Sequence, residues 1–365
     1  MSNTSNIKEF ILNELKKEFP ESSDNELLGF FNSSPLLKYI NLKTDAIFGN
    51  TKSRRSLGNL YAVHSILHYY ISDFYEKDKA NYQSFSGYEF SKLMAFMRSL
   101  YGGSKLQNHA LNSRVNGEFS NKYGKNSQEL IVINNGKYLL HINYLYVKNH
   151  DISRLAYNII NKYIELLMAK DSSLLDAILE LIQVHDNNER ILRVSNLLTE
   201  TSEARIFEII SYAILKNHYK NTMVYIGFSI ETLEKQYLTL YKTGRTNAND
   251  GGIDFVMRPL GRFFQVTEVN NYDKYLLDID KVMHFPVTFI VKTDKTKESI
   301  SLELQEFIEE NSGGMRVITE RYIDAIEEII TINELKKWLS LLDKESINQL
   351  LLDIKLYYEL ELNII

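Results

Sequence analysis

Residues 243–270 read Thr243-Gly-Arg-Thr-Asn-Ala-Asn-Asp-Gly-Gly-Ile-Asp-Phe-Val-Met-Arg-Pro-Leu-Gly-Arg-Phe-Phe-Gln-Val-Thr-Glu-Val-Asn270. A loop rich in Asn, Asp and Gly opens the stretch. Ile253 to Met257 is a short apolar run with one acid, Asp254, near its start. Pro259-Leu-Gly261 turns the chain, and the run Arg262 to Val269 carries Gln265, Thr267 and Glu268. Two apolar runs about a Pro/Gly turn predict a β-hairpin. Polar groups inside an apolar strand need partners, because a carboxylate buried alone is costly. Either Asp254 bonds to the turn before it and Gln265 to a neighbouring loop, or these oxygens hold a cation. Magnesium takes oxygen ligands and keeps several waters, so one or two carboxylates suffice. Such an ion polarises a phosphodiester and activates a water. Strand alternation puts Gln265 and Thr267 on one face and Glu268 on the other, so Gln265 and Glu268 serve together only if a bulge intervenes.

Gly251-Gly-Ile-Asp254, a strand, a turn and then Phe264-Gln-Val-Thr267 resemble the core of the PD-(D/E)XK nuclease superfamily, and within it a Type II restriction endonuclease. The resemblance covers mainly residues 200–295. It implies that Asp254 binds the metal and that Gln265 stands at the family's acid-or-amide position. Thr267 falls where the family has Lys, which is a departure. Glu268 then takes the second metal position, or a lysine reaches in from elsewhere, with Lys281 the first substitute, or the site is inactive. The resemblance also implies an acid on the helix before the first strand; Arg205-Ile-Phe-Glu-Ile-Ile210 makes Glu208 the candidate, against the alternative of a surface Glu. It implies Mg²⁺ as cofactor and products ending in 5′-phosphate.

The composition is that of a soluble globular chain: 365 residues, 44% apolar, 24% charged. That length suggests two or three domains. The net charge of −5 argues against a protein that coats DNA by bulk charge, but a local basic cleft serves a sequence-specific enzyme. The chain has no cysteine, hence no disulfide framework or thiolate metal site, which fits a cytoplasmic location. No apolar run approaches the ~20 residues of a membrane span. The sequence holds no Gly-x-x-x-x-Gly-Lys loop and no Gly-x-Ser-x-Gly, leaving metal-assisted phosphodiester hydrolysis as the chemistry its motifs allow.

Residues 6–19, 24–32, 57–75 and 88–101 are predicted helices. Lys52, Arg54 and Arg55 lie among serines, either a solvated loop or a phosphate clamp. His64 and His68 sit one turn apart, but with no third ligand nearby they read as structural or surface residues. Ser104 caps a polar helix over 105–119 whose outer face carries Lys105, Gln107, Asn108, Asn112, Arg114 and Asn116, the side-chain types that read base edges. Asn134-Asn-Gly136 between two apolar runs is a strong hairpin signal. Helices followed by a hairpin give the order of a winged helix over 57–148; the alternative is a helical domain whose polar helix faces water. Residues 151–198 read as helical. Beyond them a helix follows Thr201, then a strand at 223–227, a helix at 230–242, the hairpin, a helix at 272–285 and a strand at 287–292. A helix at 299–310, a strand at 315–319 and helices from 321 to 365 complete the chain.

The expected architecture is therefore α/β (α+β). A mainly helical DNA-recognition domain occupies 1–198, and a mixed-sheet restriction-endonuclease-like domain occupies 199–365. The expected activity is sequence-specific cleavage of double-stranded DNA. Asp254 with Gln265 or Glu268 holds Mg²⁺, Glu208 assists, and Lys242, Arg245 or Lys281 stabilises the growing charge. Expected partners are duplex DNA, a cognate DNA methyltransferase within the same system and a second copy in a homodimer, with no membrane. The alternatives are an inactive DNA-binding or defence-regulatory protein on the same fold, favoured by Thr267, and a structure-specific repair nuclease.

Overall fold

The computed structural model describes residues 7–44, 57–76, 78–104, 106, 111–124, 127–244, 253–268 and 271–362. The chain divides into two compact units, Met1–Ser172 and Ser173–Ile365. The boundary falls earlier than the expected 198. The reason is packing: Ile178, Leu181, Val194 and Leu198 belong to the second unit's core.

The first unit contains α1 (Glu9–Glu18), α2 (Asp24–Ser33), α3 (Pro35–Lys43), α4 (Leu57–Ser72), α5 (Asn81–Ser84), β1 (Tyr88–Glu89), α6 (Phe90–Ser99) and α7 (Ser113–Tyr123). It continues through β2 (Ile131–Asn134), β3 (Lys137–Leu140), α8 (Ile142–Leu145), β4 (Tyr146–Val147), β5 (His150–Asp151) and the first part of α9 (Ser153–Gln183). Strands β1, β3 and β2 pair antiparallel in that spatial order. The predicted Asn-Gly hairpin forms, with φ 48° at Asn135 and 75° at Gly136, as a two-residue loop with two left-handed positions requires. Gly87 lets β1 reach β3: its φ is +81°, and a Cβ there would lie 2.7 Å from the Tyr138 carbonyl oxygen.

His64 is buried between the rings of Phe96 and Tyr157, and its Nε2–H donates to Asn161 Oδ1 at 2.8 Å. It is a core histidine, as expected. Burial pushes its pKa down to about 4, opposed by the bond to Asn161. The folded state resists protonation that the unfolded chain accepts near 6.5, so no penalty exists above that pH, and stability is lost as pH falls from there towards 4. In urea titrations, wild-type stability should therefore fall between pH 6.5 and 4 by on the order of 3 kcal/mol more than that of His64→Phe; parallel pH profiles would contradict this.

The second unit contains the end of α9, α10 (Asn187–Asn196), α11 (Ala204–Tyr219), β6 (Met223–Ile226), β7 (Glu234–Tyr237), β8 (Thr239–Lys242), β9 (Phe255–Arg258) and β10 (Arg262–Thr267). It closes with α12 (Asp273–Lys281), β11 (Val287–Val291), α13 (Lys297–Asn311), α14 (Arg316–Asp324), β12 (Ile326–Thr331), α15 (Ile332–Ser340) and α16 (Lys344–Leu362). Five strands form a mixed sheet in the order β12-β11-β10-β9-β8. The predicted hairpin is β9–β10, antiparallel; β8 pairs antiparallel to β9, and β10, β11 and β12 run parallel. Parallel neighbours need a crossover, supplied by α12 and then by α13–α14. Phe264 and Ile290 join a core with residues of α11, α15 and α16 on one face of the sheet. Phe289 and Val291 join Tyr275, Ile279, Ile300 and Leu304 from α12 and α13 on the other. The protein is mixed α/β, as expected.

The helix expected over 105–119 is α7, which starts only at Ser113 with Asn112 as its N-cap and runs to Tyr123. Two assignments in the second unit also change. Residues 230–242, expected helical, form a short 3₁₀ turn and then β7 and β8, because Leu238 and Leu240 alternate inward while Thr239 and Tyr241 face out. The strand expected at 315–319 is instead the start of α14, and the strand lies at 326–331 inside the run expected to be helical. Its β-branched Ile-Glu-Glu-Ile-Ile-Thr sequence suits a strand beside β11. Among the described residues no helix is long and apolar enough to cross a membrane.

Candidate functional site at one edge of the mixed sheet

Strands β8, β10 and β11 end, and β9 begins, at the same edge of the sheet. That edge collects Lys242 at the end of β8, Asp254 just before β9, Thr267 and Glu268 at the end of β10, and Lys292 just after β11. Helix α11 contributes there as well: the buried Glu208 pairs with the half-buried Lys242, whose side chain is 8% exposed, and Lys292 Nζ donates to the Ser202 carbonyl at 2.9 Å, just before the helix starts.

Asp254 is buried and held on both sides. Its N–H donates to the Phe264 carbonyl at 2.9 Å, and its own carbonyl accepts from Thr243 N and Oγ1, each at 2.9 Å. Its carboxylate oxygen Oδ2 accepts the Val266 N–H at 2.6 Å. This charge-assisted bond takes the place of a strand carbonyl, so the expected bond to the preceding turn is instead a bond across the hairpin.

Gln265 and Thr267 share the face that carries Phe289 and Val291, with which they are in parallel register. Both are buried, and among the described residues neither Gln265 Oε1 nor Thr267 Oγ1 has a hydrogen-bond partner. The Gln265 amide nitrogen donates to the adjacent Val266 carbonyl at 3.3 Å. Glu268 lies past the end of the strand and pairs with Lys292 at 2.7 Å. Pairing of β10 is regular through Thr267, so no bulge brings Gln265 and Glu268 onto one face.

Lys281 is not at this edge. It sits in the last turn of α12, which leads from β10 back towards the start of β11, and it pairs with the buried Asp278 at 2.6 Å. Lys292 and its neighbour Glu200 are absent from the residues expected at the site. Thr293 Oγ1 and the Asp294 N–H donate to Glu200 at 2.8 and 3.0 Å, and the backbone bond first, then the hydroxyl, hold its carboxyl below the usual range. The available signal is the polar run Lys292-Thr-Asp-Lys295 at the carboxyl end of a wholly buried strand, where open α/β sheets place their ligands.

In the first unit, Asn116 is buried and spends both amide groups on β2: Nδ2 donates to the Ile131 carbonyl at 2.7 Å, and Oδ1 accepts the Ile131 N–H at 2.9 Å. It is a clamp rather than part of an outward-facing surface. Arg114 is exposed, 3.7 Å from Glu118, and Asn112 is half-buried ahead of α7. Lys52, Arg54, Arg55, Lys105, Gln107, Asn108 and Arg245 lie outside the described residues.

Among the described residues no group of three or more His, Cys, Asp or Glu side chains is arranged to share a metal. Magnesium needs fewer, because water fills most of its shell. Asp254 and Gln265 each carry oxygens of the hard type such an ion takes. No protein-family model, curated protein or solved structure matches the chain.

Breaking a buried ion pair leaves one charge stranded, at a cost of roughly 3–5 kcal/mol. Glu208→Gln should lower the stability of the second unit by about that much, and adding Lys242→Met should recover most of it. Urea midpoints measure both; additive losses in the double variant would show that the two side chains are not coupled.

Proposed function

We propose that the chain is a magnesium-dependent, site-specific endonuclease of double-stranded DNA, built on a restriction-endonuclease-like core. The observation that carries this reading is the gathering of Asp254, the Glu208–Lys242 pair and the Glu268–Lys292 pair at one sheet edge, where the strand that ends there, β10, carries the buried oxygen of Gln265. The strand order supports it: a helix, three antiparallel strands, then a helix returning to a parallel strand surround the stretch that resembles the nuclease core. Asp254 and Gln265 would hold Mg²⁺, which supplies a polarised phosphodiester and an activated water. Glu208 holds Lys242 in place, and Glu268 does the same for Lys292. The ammonium groups stabilise negative charge building on the phosphate oxygens.

The first unit is the reader in this proposal. Its order α4-β1-α6-α7-β2-β3, with β1-β3-β2 pairing, supports a winged helix in which α7 approaches the groove and the Asn135-Gly136 hairpin is the wing. Asn112 and Arg114, with Lys105, Gln107 and Asn108, are its candidate base readers. Lys52, Arg54, Arg55 and Arg245 are candidate phosphate contacts. A cytoplasmic enzyme of this kind works beside a methyltransferase that protects the host's own sites.

Thr267 in the lysine position favours a second reading, a DNA-binding protein without cleavage. Incubation with unmethylated phage DNA and Mg²⁺ separates the two. We expect discrete fragments bearing 5′-phosphates, no cutting in EDTA, and at least a ~100-fold loss of rate in Asp254→Ala with DNA affinity retained. Retained binding with no cutting by the wild-type chain would establish the second reading.

A further inference from the structure

Between α11 and β8 the chain makes a hairpin, β6–β7, that forms its own two-stranded sheet. All four residues of β7 are exposed, and Val224 of β6 leans on the core. The outer side presents Met223, Tyr225 and Tyr237, and the tip presents Phe228, Ile230 and Leu233. Phe228 is fully exposed. The tip is a built turn: Thr232 Oγ1 accepts the N–H groups of Phe228 and Ser229 at 3.1 and 3.0 Å. A Cβ at Gly227 would lie 2.4 Å from the Thr232 carbonyl oxygen, so glycine lets the turn close. The apolar side chains are therefore held outward by local structure, and contiguous exposed apolar surface of this kind marks an interaction site.

We infer that this hairpin is the contact through which a second copy of the chain docks. At about 150–250 Å² per aromatic side chain, Tyr225, Phe228 and Tyr237 at their observed exposures offer roughly 350–550 Å², and Met223, Ile230 and Leu233 carry the patch further towards the ~800 Å² per partner of a stable interface. Charge points the same way. From Met223 to Tyr237 the charged residues are Glu231, Glu234 and Lys235, net −1, and β6 carries none. Phosphate backbones and anionic lipid surfaces call for a basic patch, which is lacking here. A two-fold contact sets the same patch against itself, and an uncharged strand does so without opposing like charges. The choice of a second copy over a different protein rests on the endonuclease reading, since cutting both strands of a symmetric site needs two active sites. Leu238 joins the hairpin to β8, whose far end carries Lys242, so one strand connects the contact to the site edge.

Sedimentation equilibrium of the full chain tests this. Wild type should show twice the chain mass at micromolar concentration. Tyr225→Lys with Phe228→Lys should show the chain mass with an unchanged far-ultraviolet spectrum, and Leu341→Lys, at an exposed leucine elsewhere, should stay paired. The chain has no cysteine, so Phe228→Cys gives one labelling site; maleimide labelling should slow at least ~5-fold from dilute to concentrated protein if the patch is covered in the pair. A monomeric wild type, an associated hairpin variant, labelling of Phe228→Cys at the same rate in dilute and concentrated protein, or binding of the monomer to neutral lipid vesicles through the hairpin would each overturn the inference. A chain that pairs but cuts no DNA removes the endonuclease reading alone, and a monomer that cuts removes the docking inference alone.

Discussion

One N–H at the sheet edge is bonded to a carboxylate where a strand carbonyl would ordinarily stand. Val266 donates to Asp254, and the chain around Asp254 is fixed in turn by Phe264 and Thr243. A buried carboxylate that lost this bond would carry its full desolvation cost. The bond therefore determines where β8 and β9 part and where the acid sits relative to the ends of β10 and β11. Glu208–Lys242 and Glu268–Lys292 then fasten α11 and the strand after β10 around the same edge.

Charge balance there is local. Acids from α11 and from beyond β10 meet lysines from β8 and from beyond β11, so no single segment carries both members of a pair. A surface pair of this kind contributes little, but side chains shielded as these lysines are lose more when a partner is removed. The edge is thus stabilised by the same groups to which the proposed phosphate chemistry is assigned.

Much of this is legible in the sequence, and the reasons differ by element. The β9–β10 hairpin announces itself through Pro259 and Gly261, and the β2–β3 hairpin through Asn135-Gly136, because turn chemistry is local. The alternation rule separates Gln265 from Glu268, as the structure does. Strands β7 and β8 escape the sequence because Leu-Glu-Lys-Gln-Tyr-Leu fits a helical period as readily as a strand. Strand β12 escapes it because its isoleucines run directly into α15. The polar run after β11 marks Lys292 as standing at a strand end, but its partner is hidden for a topological reason: the pairing with Glu268 exists only because β11 lies beside β10. Asn116 reads as an outward-facing amide, since its true partner is the backbone of a strand fifteen residues away.

The central proposal is that oxygens of Asp254 and Gln265 hold a divalent cation at this edge. Binding of Mn²⁺, followed by electron paramagnetic resonance in the presence of duplex DNA, measures that directly. Stoichiometric binding by the wild-type chain is expected, with at least a ~10-fold weaker affinity in both Asp254→Asn and Gln265→Leu and folding intact in each. Equal Mn²⁺ affinity in all three proteins, or none in any, would contradict it.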